Sequence, residues 1–218
     1  MVARQVHLVR HGEVFNPDRI LYGRLRGFGL SKLGHRMAQA VAADLAANGR
    51  TVSALVASPL QRTRESAAPI SAIFGLPIQI DDRVIEPTNH FEGTNMRRAL
   101  QQPINWPYLV NPLRPSWGEP YADIAGRMRA AVDDAFDSVD DGDVVIVSHQ
   151  LPIWTLHRAL AGERLAHDPR KRRCTLSSIT TLALREPLAP RDSREIVEVG
   201  YSEPAFPLQA NATDVGAV

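Results

Sequence analysis

The sequence is poor in several kinds of residue, and each scarcity narrows the class of protein. Cys174 is the only cysteine among 218 residues, so an intrachain disulfide is excluded and a reducing compartment such as the cytoplasm is expected. No apolar run approaches the ~20 residues that a membrane-spanning helix needs. Charged residues also interrupt the apolar residues near the N-terminus, where a signal peptide needs an unbroken run. We therefore expect a soluble cytoplasmic protein with no membrane partner.

A strong charge of one sign is also lacking. The 25 basic and 24 acidic residues leave a formal net charge of +1, which argues against a protein that coats nucleic acid. Lysine occurs only at Lys32 and Lys171, and the other basic residues are arginine, which binds phosphate and carboxylate groups with a planar fork of donors. The basic cluster at 170–173 has no interleaved aromatic residues, so we interpret it as a solvated loop.

Three short apolar runs predict buried strands at 6–9, 54–57 and 143–147. Long helical patterns separate these runs, which favours a mostly parallel sheet covered on both faces. The expected fold class is therefore α/β, a three-layer αβα sandwich with a mostly parallel central sheet. A polar cluster follows each run, and ligands of such sheets bind beyond the carboxyl ends of the strands. We expect the three clusters to meet at one site.

The remaining elements are predicted from caps and periodicity. Ser31 is expected to cap a helix that runs to about Asn48. Ser58 is expected to cap the next helix, with Pro59 at its first position and Gly75 just past its end. Two further helices and two further strands are predicted at 121–139, 151–160, 175–184 and 195–199.

We expect one domain over residues 1–203. Residues 87–120 are rich in proline, asparagine and tryptophan, which indicates an irregular excursion over the site with one short helix near 93–100. Residues 204–218 are rich in proline, alanine, glycine and asparagine, which predicts a flexible C-terminal tail.

Arg10, His11 and Gly12 directly follow the first predicted strand. The sheet would fix the backbone of His11, and the guanidinium of Arg10 could bind an anion. Gly12 would let a ligand approach the backbone closely, because it has no side chain. A structural role for a lone histidine at a strand end is the alternative.

Arg62 lies near the start of the helix predicted after Ser58. A cation at a helix N-terminus is disfavoured by roughly 0.3–1 kcal/mol, whereas a phosphate there would satisfy both the arginine and the free N–H groups. This position therefore favours an anion site. A surface salt bridge from Arg62 to Asp81 or Asp82 is the alternative.

His149 is a second histidine at a predicted strand end. Two histidines and two arginines in such positions indicate a phosphate pocket with a nucleophile, because histidine can form a covalent phosphorylated intermediate. The arginines would stabilise charge on the transferring phosphoryl group. A leaving alkoxide then needs a proton donor, and Glu86 is the first candidate.

The sequence resembles the histidine phosphatase superfamily, the phosphoglycerate mutase-like proteins, over roughly residues 5–200. Four segments carry the resemblance, in the family's order. They are the Arg-His-Gly signature at 8–13, a glycine and helix start at 22–34, the second arginine motif at 58–67 and the second histidine motif at 144–149.

The resemblance implies a role for each matched residue. His11 would be the phosphorylated nucleophile, while Arg10, Arg62 and His149 would bind the phosphoryl group. Glu86 would protonate the leaving group and then activate water. The resemblance also implies no metal and no organic cofactor, and the sequence has no Cys/His cluster with metal-ligand spacing.

The chain departs from the family pattern near both histidines. Val14 stands where the family often has threonine, and Asn16 lies five residues past His11 instead of six. Gln150 stands where the family commonly has glycine after the second histidine. Asn16, Gly23 and Gln150 are kept as candidate substrate-binding residues.

The segment that holds the candidate acid also departs from the pattern. Residues 86–93 are one residue shorter than the family's Glu-x-x-x-Gly-x-Trp-Glu-Gly stretch and lack its first glycine. Glu92 or His90 therefore competes with Glu86 as the proton donor. We prefer Glu86 because a strand-end position suits a rigid site, and we keep Glu92 as a candidate substrate-binding residue.

The expected function is that of a phosphomonoesterase, a histidine acid-type phosphatase that hydrolyses a small phosphorylated metabolite. A cofactor-dependent phosphoglycerate mutase is the first alternative, in which Arg97 and Arg98 could hold a substrate carboxylate. A catalytically weak protein that binds phosphorylated ligands is the second. The expected partner is a small phosphate-ester substrate and not nucleic acid, and a homodimer is left open.

Overall fold

The computed structural model describes residues 2–109, 117–187 and 189–213. Its centre is a six-stranded sheet in the order β3-β2-β4-β1-β5-β6. The pairs β3-β2, β2-β4 and β4-β1 are parallel. At the other edge, β5 pairs antiparallel with both of its neighbours, β1 and β6. The strands are β1 (Gln5–Arg10), β2 (Val52–Ala57), β3 (Ile78–Ile80), β4 (Asp143–Ser148), β5 (Ile179–Leu184) and β6 (Ile196–Ser202). The three predicted strands of the parallel part are confirmed.

Helices cover both faces of the sheet. They are α1 (Lys32–Ala47), α2 (Gln61–Phe74), α3 (Met96–Leu100), α4 (Tyr121–Asp137), α5 (Gln150–Leu160) and α6 (Phe206–Gln209). The side chains of Val144 and Ile146 join a core with α4 and α5, whereas Val145 and Val147 join a second core with α1 and α2. Successive residues of a strand face opposite sides of a sheet. The three-layer α/β fold predicted from the sequence is therefore confirmed.

Of the two predicted helix caps, the one at α1 is confirmed and the one at α2 is wrong. Ser31 caps α1 as expected, since its side chain accepts a hydrogen bond from the Gly34 N–H at 2.9 Å. The cap predicted at Ser58 is wrong, because α2 begins at Gln61 and its N-cap, Leu60, makes no side-chain cap bond. Gly75 does end α2 in the left-handed conformation, at φ 67°.

The excursion at 87–120 contains the predicted short helix, which is α3. A 3₁₀ helix follows at Pro103–Leu109, and residues 110–116 lie outside the described part of the chain. In the predicted tail, α6 follows Ala205, which is buried in a small cluster with Met37. The backbone N–H of Thr213 donates to Glu13 Oε1 at 2.6 Å, and residues 214–218 lie outside the described residues.

Among the described residues, none of the helices has both the length and the apolar composition required to cross a bilayer.

Candidate active site

The carboxyl ends of β1 and β4 bring the two motif histidines together. These strands are parallel neighbours with Arg10 opposite Ser148, so the residues that follow them leave the sheet side by side. The His11 N–H donates to the Ser148 carbonyl at 3.1 Å. The rings of His11 and His149 lie 5.2 Å apart between centroids, edge to face. The expected meeting of polar clusters beyond the strand ends is present in the structure.

His11 is held as a neutral imidazole with one defined tautomer. Its Nδ1 lies 2.7 Å from the Gly12 carbonyl oxygen, which can only accept, so Nδ1 carries the proton and Nε2 keeps its lone pair. Burial lowers the pKa of His11 well below its usual range, and the nearby positive charges of Arg62 and Arg10 lower it further. The geometry thus presents Nε2 as a nucleophile.

His149 is fully buried next to His11. Its Nε2 lies 2.8 Å from the Ser58 hydroxyl, and its Nδ1 lies 3.5 Å from Glu86 Oε2. This explains why Ser58 does not cap α2, since its hydroxyl is used to orient the second histidine. Burial, followed by the charge of Arg62, lowers the pKa of His149 well below its usual range.

Two buried guanidinium groups flank the histidines. Arg10 is 2% exposed and donates from Nη1 to the Cys174 carbonyl at 2.7 Å. Arg62 is 1% exposed and donates from Nη2 to the Gly23 carbonyl at 2.8 Å, with its guanidinium 4.8 Å from the centroid of the Tyr22 ring. Among the described residues, the buried Nε of Arg62 has no hydrogen-bond partner.

The alternative interpretation of Arg62, a surface salt bridge to Asp81 or Asp82, is therefore wrong. The carboxylate of Asp81 pairs instead with Arg83, at 2.7 Å from Nη2. Burying a guanidinium costs free energy unless its charge is met by an anion or by hydrogen bonds. The buried guanidinium of Arg62, at the start of α2, is thus suited to an anionic ligand.

Glu86 is the carboxyl group of this site. Its backbone carbonyl accepts from Arg24 Nε at 2.6 Å, which fixes the chain at this point. Burial raises the pKa of the Glu86 carboxyl, although the charges of Arg62 and Arg172 oppose the rise. A raised pKa keeps a carboxyl group protonated at higher pH and suits a proton donor.

The two competitors of Glu86 have other contacts. Glu92 Oε1 accepts from the Arg24 backbone N–H at 3.1 Å, and its side chain packs over Gly23. His90 stacks on Tyr108, with 3.6 Å between ring centroids. Of the three candidates, the structure brings only Glu86 within 3.5 Å of the second histidine.

The candidate substrate-binding residues fall into two groups. Gly23 and Gln150 lie in the wall of a pocket with Arg10 and His11, which we call the strand-end pocket. Gln150 Nε2 donates to the Cys174 carbonyl at 3.1 Å. Among the described residues of this wall Asn16 does not appear, and its amide closes a turn through both backbone groups of Ile20.

Arg172 is a site residue that the sequence interpretation missed. The cluster 170–173 was interpreted as a solvated loop, yet the Arg172 side chain lies in the wall of the strand-end pocket. Its Nε donates to His167 Nε2 at 2.9 Å, which directs the guanidinium inward. Its neighbours Lys171 and Arg173 are exposed, so charge alone could not separate them in the sequence.

The structure also shows a packing constraint at Gly12. A Cβ atom at this position would lie 2.5 Å from the Gly34 carbonyl oxygen, which is closer than packed atoms allow. Gly12 therefore permits the start of α1 to pack against the loop after β1. Its N–H donates to the Ser66 hydroxyl of α2 at 3.1 Å, so this glycine ties both helices to the loop that carries His11.

A second cavity opens from the strand-end pocket toward the excursion, and we call it the roof cavity. The two share Leu21, Gly23, Glu86, Leu151 and Arg172 in their walls. The roof cavity has a volume of about 200 Å³, which is room for a small organic group. Within the described parts of the chain, no group of three His, Cys, Asp or Glu side chains is arranged to hold a metal ion.

Comparison with known proteins agrees with this geometry. The sequence model of the histidine phosphatase superfamily (branch 1) matches residues 6–187. A Mycobacterium tuberculosis protein named "Uncharacterized protein Rv0525" is 51% identical over 204 residues, covering 92% of this chain and 96% of that protein. The "Probable phosphoglycerate mutase GpmB" of Yersinia enterocolitica is 29% identical, covering 80% of this chain and 84% of its own.

The fold is also that of a solved phosphatase. The mycobacterial glucosyl-3-phosphoglycerate phosphatase has 25% identity and a TM-score of 0.71, over 89% of this chain and 96% of that chain. The resemblance inferred from the four motifs is thus confirmed. The chain belongs to the histidine phosphatase superfamily, branch 1.

Proposed function

We propose that the protein is a phosphomonoesterase that hydrolyses a small phosphate ester through a phosphohistidine on His11. One observation carries the proposal: His11, whose Nδ1 contacts the Gly12 carbonyl, shares the wall of the strand-end pocket with Arg10 and Glu86, and the buried Arg62 lies near enough to lower its pKa. The solved relative named as a phosphatase supports the same reaction class. No metal or organic cofactor is needed in this scheme, since the chain supplies nucleophile, cations and acid.

In the first step the His11 Nε2 lone pair attacks the phosphorus atom, and the bond from phosphorus to the ester oxygen breaks. Glu86 transfers its proton to that oxygen, so the leaving group departs as a neutral alcohol. Arg10 and Arg62 would stabilise the negative charge on the phosphoryl oxygens. His149, oriented by Ser58, would add a neutral hydrogen-bonding group to the same oxygens.

In the second step the phosphoryl group passes from His11 to water. The Glu86 carboxylate removes a proton from the water, whose oxygen attacks phosphorus as the P–N bond breaks. The bonding electrons return to His11 Nε2, and inorganic phosphate leaves. Both steps use the same carboxyl in opposite protonation states, so each turnover restores the starting enzyme.

The test compares two histidine variants on p-nitrophenyl phosphate. His11→Asn should abolish hydrolysis, whereas the matched control His35→Gln, at an exposed position of α1, should retain wild-type turnover. Circular dichroism confirms that both variants fold. Hydrolysis by His11→Asn at the wild-type rate would rule out His11 as the nucleophile.

The mutase alternative has one observation in its favour, the name of the Yersinia relative. Arg97 and Arg98, considered as carboxylate ligands, are exposed on α3. Incubation with 3-phosphoglycerate and a trace of 2,3-bisphosphoglycerate distinguishes the reactions. A phosphatase releases inorganic phosphate, a mutase forms 2-phosphoglycerate, and a binding protein does neither while still binding the ester.

The acid-type class and the cytoplasmic location stay predictions, and a homodimer stays open. A pH profile, cell fractionation and light scattering of the purified protein would test them in turn.

A further inference from the structure

The walls of the roof cavity are mainly apolar away from the strand-end pocket. The apolar side chains of the cavity include Leu21, Phe91, Met96, Trp117, Tyr121 and Leu151, of which Leu21 and Leu151 lie in the shared wall. A group attached to a phosphoryl bound at His11 can extend along the shared wall from the strand-end pocket into this cavity. The composition of the roof cavity therefore constrains the alcohol part of the substrate.

Each charged side chain of the roof cavity either pairs with another side chain of the protein or lies in the wall shared with the strand-end pocket. Glu119 accepts two hydrogen bonds from Arg127, at 2.7 and 3.0 Å, and lies 3.5 Å from Arg24 Nη2. Arg172 and Glu86 lie in the wall shared with the strand-end pocket, so their charges are at the phosphate end. Among the described wall residues, the part outside the shared wall thus offers apolar surface, the paired charge of Glu119 and the uncharged polar side chains of Thr88 and Asn89.

We propose that the substrate is a phosphate monoester whose alcohol part is bulky and largely apolar, such as an aromatic ring on a short alkyl chain. This inference rests on the proposed phosphatase function and adds the substrate class. Apolar surface that enters the cavity leaves water, which favours binding by an amount proportional to the area buried. A charged alcohol part would instead lose its hydration without gaining an unpaired partner.

The test compares esters with the same kind of leaving group. All are phosphates of primary alcohols, so differences in kcat/KM reflect the rest of the molecule and not the ease of P–O cleavage. The probes are 3-phenylpropyl phosphate, n-propyl phosphate and phosphoserine. We expect kcat/KM for 3-phenylpropyl phosphate to exceed both others at least tenfold, the factor expected from burial of about 60 Å² of apolar surface.

A matched pair of variants on α3 tests whether the roof cavity causes the preference for an apolar alcohol part. Met96→Gln introduces a polar amide into the cavity wall at nearly constant volume, and Leu100→Gln makes the same change at an exposed position of the same helix. The ratio of kcat/KM between 3-phenylpropyl and n-propyl phosphate should fall about fivefold or more in Met96→Gln. It should not change in Leu100→Gln.

The outcomes separate this inference from the function on which it rests. A wild-type enzyme that hydrolyses p-nitrophenyl phosphate through His11 but prefers phosphoserine would overturn the apolar substrate class and leave the phosphatase intact. Equal ratios in the two α3 variants would likewise overturn the assignment of the cavity. Absence of His11-dependent hydrolysis for every ester would instead overturn the proposed function. The wild-type comparison needs no variant, so it decides the matter even if Met96→Gln fails to fold.

Discussion

Replacing Glu86 by glutamine removes the proposed proton donor while preserving the shape of the side chain. The carboxyl lies 3.5 Å from the buried His149 and faces both the strand-end pocket and the roof cavity. Burial raises its pKa, so in the wild type a larger fraction stays protonated than for an exposed carboxyl. Glutamine cannot transfer a proton to a leaving alkoxide.

The size of the effect depends on how much the leaving group needs that proton. General acid catalysis contributes typically 10²- to 10⁴-fold. For 3-phenylpropyl phosphate we expect phosphorylation of His11 to slow at least about a hundredfold, or about 2.7 kcal/mol in the barrier. For p-nitrophenyl phosphate, whose leaving group is stable as an anion, we expect less than about a tenfold loss.

Rapid-mixing kinetics separate the two steps. Glu86→Gln should give a burst of p-nitrophenol close to one equivalent of enzyme, followed by slow turnover, because hydrolysis of the phosphohistidine also lacks its base. With 3-phenylpropyl phosphate no burst of alcohol is expected. The matched control is Glu92→Gln, because Glu92 contacts the Arg24 backbone. In this variant the rate of His11 phosphorylation should stay within about twofold of the wild-type rate.

The pH dependence provides an independent readout. Phosphorylation needs a neutral His11, whose pKa is lowered, and a protonated Glu86, whose pKa is raised. The rate should therefore fall as pH drops through the pKa of His11 and as it rises through that of Glu86. Glu86→Gln should lose only the alkaline fall. Equal losses on both esters with an unchanged pH profile would refute the assignment of Glu86. A larger loss on 3-phenylpropyl phosphate, together with loss of the alkaline fall, in Glu92→Gln would transfer the assignment to Glu92.

Three further predictions concern packing and binding. Gly12→Ala should destabilise the fold by about 1–3 kcal/mol in urea titration, because its Cβ would lie 2.5 Å from a carbonyl oxygen. Gly126→Ala, in open space within α4, should instead stabilise by up to ~1 kcal/mol, and the opposite order would contradict the packing argument. Arg172→Gln should lower kcat/KM about tenfold through loss of a charged donor, which steady-state kinetics would contradict by showing no change. Asp143→Ala should cost about 1–3 kcal/mol in the same titration, because the buried His7 keeps Thr181 at Nδ1 but loses its partner 3.0 Å from Nε2, with unchanged kcat/KM per folded molecule.

Features fixed by local pattern could be predicted from the sequence. The strands that carry His11 and His149 are apolar runs followed at once by polar residues, and the strand-end rule then places both at one edge. The cap at Ser31 depends on a contact within four residues, and it formed as expected. The motif spacing also identified the family correctly.

Features fixed by long-range contacts could not be predicted. Ser58 has the type and position of a helix cap, but its hydroxyl serves His149, 91 residues away in sequence. Arg172 is distinguished from its basic neighbours only by His167 and the cavity behind it. The constraint on Gly12 comes from the backbone of α1, which no pattern around Gly12 encodes.

The most direct test of the account is detection of phosphate on His11. The enzyme is mixed with p-nitrophenyl phosphate, quenched in alkali, which preserves phosphohistidine, and digested for mass spectrometry. The account predicts a phosphoryl group on the peptide that contains His11, accumulating further in Glu86→Gln and absent from His11→Asn. Full hydrolytic activity with label on another residue, or with no phosphorylated enzyme in Glu86→Gln, would contradict it.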